Sequence, residues 1–272
     1  LPEAIDILAA NPGLARPLAG GQTLLPIMAF RLGDPAILVD LRKVPGLHDI
    51  ETDGNTIRLG AMVRWRDIEE DIGLRTTCPV LPDAISHVAH YQIRNRGTVG
   101  GSLAHADPAS EMPGIAVLCD AEIEIAGRAG RRTVSAGSFF VGPLTTALEA
   151  DELIVGVKLA PWPKGRRWAF EEFAIRRGDF ALAAIGLFYD EDESLRVSNA
   201  HISVIAATDI PRRLTAAEAV LNGKMLDEQT ILGAAEAAAA AVDPPDDIHA
   251  SRDYRRALVA TLLTRALRRA AV

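Results

Sequence analysis

Cysteine is scarce in this chain: Cys78 and Cys119 are the only two in 272 residues. Two thiols exclude a disulfide framework, a four-cysteine zinc site and the four-thiolate cage of an iron–sulfur cluster. Long apolar runs are missing too, since no stretch approaches the roughly 20 residues that cross a bilayer as a helix. The opening "LPEAIDILAANPG" lacks the basic, apolar and small-residue succession of a secretory signal, so a cytoplasmic setting is expected. Positive charge is in deficit. A net charge of −7 gives an acidic field that attracts neither nucleic acid nor an anionic membrane surface. The common phosphate motifs are absent as well: no Gly-x-x-x-x-Gly-Lys-Ser/Thr run occurs, and no Gly-x-Gly-x-x-Gly opens a helix after the first strand. The six histidines show no metal-ligand spacing.

What remains is a globular composition, 49% hydrophobic, in a chain long enough for one large or two ordinary domains. A helix is expected from Pro2 through "PEAIDILAA", then a short strand at Pro17 and Leu18, a Gly20-Gly21 turn, a helical run to Phe30 and the buried strand "AILVDL". Pro26 is tolerated there only in the first turn. From Asp49 the pattern changes to two strands joined at Asp53-Gly54, helices around residues 64–72 and 82–91, and the strands "AEIEIAG", "RRTVSA" and "ELIVGVKLA". "PWPKGRR", residues 161–167, reads as a linker. Beyond it lie a three-stranded meander and alanine-rich helices. The expected class is α+β, with a first domain over 1–162, divided into a small α/β unit (1–48) and an α+β sheet layer (49–162), and a C-terminal domain over 167–272.

The glycine pairs pose the functional question. Twenty-two glycines in this length give roughly two adjacent pairs by chance, and two are present, Gly20-Gly21 and Gly100-Gly101. Each is a tight turn, or a bare turn whose uncovered N–H groups take an anion. Two such turns eighty residues apart suit a diphosphate gripped from two sides.

"AGGQTLLP", residues 19–26, and "TVGGSLAHADPASEMP", residues 98–113, closely resemble the two flavin motifs of the medium subunit of molybdenum hydroxylases, the group that includes carbon monoxide dehydrogenase and xanthine dehydrogenase. "AILVDLRKVPGL", "RRGDFALA" and "YRRALVATLLTRAL" extend the resemblance over essentially the whole chain. Thr23 stands where Ser is usual and Val99 where Ile is common. Family members also carry a short strand before the helix that here begins at Pro2, which implies a beginning shortened relative to the family.

The resemblance implies a flavin fold of the vanillyl-alcohol-oxidase type followed by a C-terminal domain with a three-stranded antiparallel sheet. It implies non-covalent FAD held by Ala19, Gly20, Gly21, Gln22, Thr23, Leu24, Leu25 and Pro26 and by Thr98, Val99, Gly100, Gly101 and Ser102, through backbone N–H and hydroxyl groups. Asp107 and Glu111 follow. Glu111 is either a contact to a ribose or ribityl hydroxyl or a first-turn helix acid behind an Asp107 N-cap, and the two roles are compatible. Val155, Asp179 and Phe180 are implied at the isoalloxazine ring, although an aromatic in such a strand is also ordinary core. His87 and His90 in "HVAH" read as one face of an amphipathic helix, and Arg252, Arg255, Arg256, Arg265, Arg268 and Arg269 as an exposed helix face.

The function implied is that of an FAD-carrying electron-transfer subunit. It passes electrons from the iron–sulfur clusters of a small partner to a terminal acceptor, while a large partner holds the molybdenum cofactor, in a dimer of heterotrimers. This chain itself offers no catalytic residue and no metal ligands. The alternatives are a stand-alone flavin oxidoreductase of the same fold, or a nucleotide-binding module without a redox role.

Overall fold

Pro2 opens the first helix, Pro2–Ala10, where its fixed φ suits the first helical position, and Ala4, Ile5 and Leu8 fall on the buried face. In the computed structural model, which describes residues 1–272, this helix belongs to one of two compact units. The first comprises 1–70, 90–106 and 120–161, and the second 71–89, 107–119 and 162–272. The chain therefore passes between them several times, once at Pro161–Trp162.

In the first unit the strand Ala15–Leu18 pairs in parallel with Ile37–Asp40, and the six-residue helix Leu24–Ala29 lies between them in sequence with Pro26 in its first turn. Ala4, Ile5, Leu8, Val39 and Leu41 share a core with Met62 and Val155. A five-stranded antiparallel sheet runs in the order Ile50–Thr52, Ile57–Gly60, Leu153–Leu159, Glu122–Gly127, Gly130–Ser135. Its middle strand is buried at every residue but Lys158, as a strand covered on both faces must be. The hairpin expected at Asp53-Gly54 is present but wider than a two-residue turn. Asp53 Oδ1 accepts from the N–H groups of Asn55 and Thr56, at 2.9 and 2.7 Å, and Gly54 takes φ +87°.

The second unit holds a four-stranded antiparallel sheet, ordered Arg167–Phe173, Ala183–Glu191, Val197–Ile205 and the two-residue strand Arg212–Arg213. The expected meander thus gains a short fourth strand. Helices Thr215–Leu221, Glu228–Ala241 and Arg252–Ala270 bury one face of it with Ile185, Leu187, Ile202 and Val204. Helix Glu111–Leu118 covers the other face. A methyl on Gly114 would lie 2.2 Å from Ile205 Cγ1, so only glycine lets that helix approach this closely.

Several local expectations are corrected. The helix expected over 64–72 ends at Glu70, because Asp71 N-caps a new helix, Ile72–Thr77, by accepting from Leu74 N at 2.8 Å. The helix expected over 82–91 is Val80–Ile85, closed by i−3 bonds from His87 and Val88. His87 therefore lies in a turn, Ala89 has φ +42°, and His90 precedes the short helix Tyr91–Arg94, so "HVAH" is no helix face. "PWPKGRR" is anchored rather than free. Trp162 N donates to Thr77 O at 2.7 Å, the Arg166 guanidinium pairs with Asp190 and sits 4.2 Å from the Phe188 ring centroid, and Arg167 opens a strand. Arg255 is not on an exposed face either. It is buried, donating to the carbonyls of Leu182 and Ala206 and to Asp247 at 2.8 Å, the outlets left to a cation that burial removes from water.

Candidate cofactor-binding site

The strand Ala15–Leu18 delivers the chain into Ala19-Gly20-Gly21, where Gly21 adopts φ +74°, a left-handed conformation that glycine takes without strain. From there to the helix Leu24–Ala29 the backbone is bare. The N–H groups of Gly20, Gly21, Gln22, Thr23 and Leu24 meet no acceptor within the chain. Donors facing outward around one tight turn form a concavity suited to anionic oxygens. Gln22 folds its amide back onto Gly20 O at 3.2 Å, while Thr23, Leu25 and Pro26 are exposed.

The second loop is built differently. Thr98 N-caps the helix Val99–His105 by accepting from Gly101 N at 3.2 Å. Val99 N donates to Val63 O at 3.0 Å, Gly100 N to Ala61 O at 2.8 Å and Ser102 N to Thr98 O at 3.0 Å. Four of the five N–H groups that the sequence puts forward for a cofactor are already bonded, and Val99 is a core residue. What this loop can still give is hydroxyl: Thr98 has an O–H hydrogen to donate, and Ser102 is half-buried at the first turn.

The two loops adjoin. A methyl on Gly20 would come within 2.1 Å of Arg96 O, and one on Gly101 within 3.6 Å of Ala19 Cβ. Glycine thus brings the first loop onto the backbone that leads into the second. The carbonyls of Ala61 and Val63 that hold the second loop left no sequence signal, because a backbone acceptor is the same in every residue.

The remaining candidates are spread over both units. Val155, in the first, has its side chain in the core at 1% exposure, and its carbonyl accepts from Ala61 N at 3.3 Å. In the second unit Asp107 caps its own turn, accepting from Ala109 N at 2.9 Å, and Ser110 rather than Asp107 occupies the N-cap of Glu111–Leu118. Glu111 is the first residue of that helix and is buried. Burial, with Asp107 adding repulsion, pushes its carboxyl up to about 7. Asp179 and Phe180 are exposed, Phe180 at 65%, so Phe180 is not ordinary core. No group of three or more His, Cys, Asp or Glu side chains is placed to hold a metal ion.

A bare N–H turn beside a pair of hydroxyls, with no lysine and no metal ligands, fits a diphosphate held by neutral donors. The family described as the FAD binding domain in molybdopterin dehydrogenase matches residues 1–162, and the CO dehydrogenase flavoprotein C-terminal domain matches residues 168–270. The chain belongs to the FAD-binding medium subunits of the molybdenum hydroxylases. Among similar medium subunits is that of nicotine 6-hydroxylase from Paenarthrobacter nicotinovorans, 40% identical over 97% of this chain and 92% of that one. The medium chain of carbon monoxide dehydrogenase from Hydrogenophaga pseudoflava is 32% identical over the same shares. A chain of quinoline 2-oxidoreductase from Pseudomonas putida 86 superposes with a TM-score of 0.94 at 41% identity, covering 100% of this chain and 94% of that one. This medium subunit is thus the flavoprotein component of an oxidoreductase. No helix in it is long and apolar enough to cross a membrane.

Proposed function

We propose that the FAD pyrophosphate lies against the bare backbone from Gly20 to Leu24, with the Thr98 and Ser102 hydroxyls reaching it or the adjoining ribityl chain. The five unpaired N–H groups beside the glycine contact carry this reading. Leu24 to Pro26 shape the outer wall of that turn. Glu111, poised near neutrality, is a hydroxyl partner in either protonation state, accepting when ionised and donating when not. Val155 contributes backbone and packing rather than a side-chain contact, and Asp179 and Phe180 are exposed and free to meet the ring.

Bound FAD accepts electrons singly and releases them in pairs, which suits a junction between one-electron carriers and a two-electron acceptor. The chain's own residues bind and orient it. The complex is proposed to be a dimer of heterotrimers in the cytoplasm, with a small iron–sulfur subunit and a large molybdenum subunit. The 40% and 41% identities to the nicotine and quinoline enzymes support a nitrogen heterocycle as the substrate class, recognised on the large subunit.

The test is anaerobic flavin bleaching by quinoline and nicotine, with the purified subunit alone and then with its reconstituted partners. Slow or no bleaching alone and rapid bleaching in the complex are expected. Rapid bleaching of the isolated chain, at the rate of steady turnover, would sink the electron-transfer reading and promote a stand-alone oxidoreductase.

A further inference from the structure

The second unit contains a cavity of about 310 Å3 lined by Ser86, His87, Glu172, Phe173, Arg176 and Arg177. None of these is a residue assigned to FAD, although Arg176 and Arg177 lead into Asp179 and Phe180, the pair proposed at the flavin ring. Glu172 lies on the sheet's first strand, its side chain only 4% exposed, and its Oε2 is buried with no hydrogen-bond partner. Its other oxygen, Oε1, stands 3.8 Å from His87 Nδ1, beyond hydrogen-bond range. An orphaned buried carboxyl oxygen lining a cavity is costly unless something enters to meet it. Arg176 and Arg177 are exposed at the same cavity and supply positive charge at its rim, while the Phe173 ring, next to Glu172 in the strand, turns to the opposite face and packs against Tyr254.

We propose that this cavity binds a small monocarboxylate, its charge met by Arg176 and Arg177, and one oxygen accepting from the Glu172 carboxyl. A protonated acid and two guanidinium groups are all donors, and a carboxylate is all acceptor.

The protonation states agree with that donor set. Burial, with Glu111 adding repulsion, pushes Glu172 up to about 8, so it carries its proton at neutral pH. Burial also lowers His87, so it is neutral there and supplies no cation to ionise Glu172; Asp83 and Glu171 oppose that lowering, while Arg177 and Arg269 add to it.

Benzoate is the probe, titrated calorimetrically into the FAD-loaded full chain, with uncharged benzamide as control. The expected result is saturable one-site binding of benzoate and little of benzamide. Arg176→Ala and Arg177→Ala should each weaken binding about tenfold, the loss of one charge-assisted hydrogen bond. Glu172→Gln, which keeps a donor and nearly the same shape, should retain binding. Raising the pH from about 7 to about 9 should weaken binding to the wild type as Glu172 ionises, and leave Glu172→Gln unaffected. No saturable binding at millimolar benzoate, or wild-type affinity in both arginine variants, overturns the proposal. Binding seen only in chain stripped of FAD also overturns it, since the cavity would then belong to the flavin site. None of these results alters whether FAD binds, so this inference and the flavin reading fail separately.

Discussion

Gly20 and the carbonyl of Arg96 are so close that a methyl group on the glycine would lie 2.1 Å from that oxygen. No side-chain rotation relieves a clash with backbone. Gly20→Ala therefore must push apart the two loops that are proposed to share the diphosphate. A destabilisation of about 1–3 kcal/mol is expected from overpacking, together with loss of bound flavin. Melting temperature and FAD content of the purified variant measure the two effects. A Gly20→Ala chain that melts like wild type and remains fully yellow would refute the contact's importance. Gly101→Val is expected to lose FAD as well, its added carbon starting 2.8 Å from Thr98 Oγ1.

Thr98 gives a finer test of the second loop. Its hydroxyl oxygen accepts from Gly101 N, and its hydrogen is left to donate outward. Thr98→Val keeps the shape but removes both functions. Loss of the cap costs about 1 kcal/mol, and FAD affinity should fall with it. Thr98→Ser should restore both. Equal FAD dissociation constants for wild type and Thr98→Val would mean that the hydroxyl points at nothing.

Much of this architecture was legible because it rests on local chemistry. Pro2 at a helix start, alternation in "AEIEIAG" and the unbroken apolar "LIVGV" each fixed an element. The glycine pairs alone carried little, since two are expected by chance, and it was the resemblance of their flanks that pointed to a flavin site. What was hidden is non-local. That Leu153–Leu159 inserts between Ile57–Gly60 and Glu122–Gly127 depends on strand order, which periodicity does not encode. That the N–H groups of Val99 and Gly100 are consumed by Val63 and Ala61 depends on a contact some forty residues away in sequence. Arg255 read as a surface cation because nothing in helical spacing reveals that Asp247 and two carbonyls wait for it.

Arg255 carries a prediction of its own. Its side chain is 5% exposed and its guanidinium holds the carbonyls of Leu182 and Ala206 together with Asp247. Arg255→Ala leaves these acceptors unpaired, and a loss of about 3–5 kcal/mol is expected, enough to lower the melting temperature by several degrees. Arg265→Ala, on the same helix but exposed, should change stability by less than about 0.5 kcal/mol. Urea denaturation of the two variants makes the comparison, and similar midpoints would show the buried network to be of little weight.

Limited proteolysis probes residues 161–167. Lys164 and Gly165 are exposed, whereas Arg166 is held by Asp190 and the Phe188 ring, and Arg167 is paired into the sheet opposite Tyr189. Trypsin needs several residues of extended, accessible chain, so cleavage in this segment should occur after Lys164 and not after Arg166 or Arg167. Mass spectrometry of the first-formed fragments reads this directly. Early cleavage after Arg167 would mean that the strand edge opens more readily than its pairing implies.

Glu111 and Glu172 make the stability of the FAD-free chain depend on pH. Burial is the main cause in both, raising Glu111 to about 7 and Glu172 to about 8 from an ordinary value of 4.5. A carboxyl whose pKa is higher folded than unfolded binds its proton more tightly in the fold. Its contribution is therefore fully present below the unfolded pKa and is lost as the pH rises through the folded one. Stability should fall from about pH 4.5 upward, with both groups contributing to about pH 7 and Glu172 alone to about pH 8, each by about 1.4 kcal/mol per pH unit at most. Glu172→Gln should abolish the decline between about pH 7 and 8, and Glu111→Gln should leave that interval unchanged while reducing the slope below it. Melting curves of the three proteins across this range decide the point. If both variants keep the full wild-type slope, the two carboxyls are ionised in the fold, and the burial argument for them is wrong.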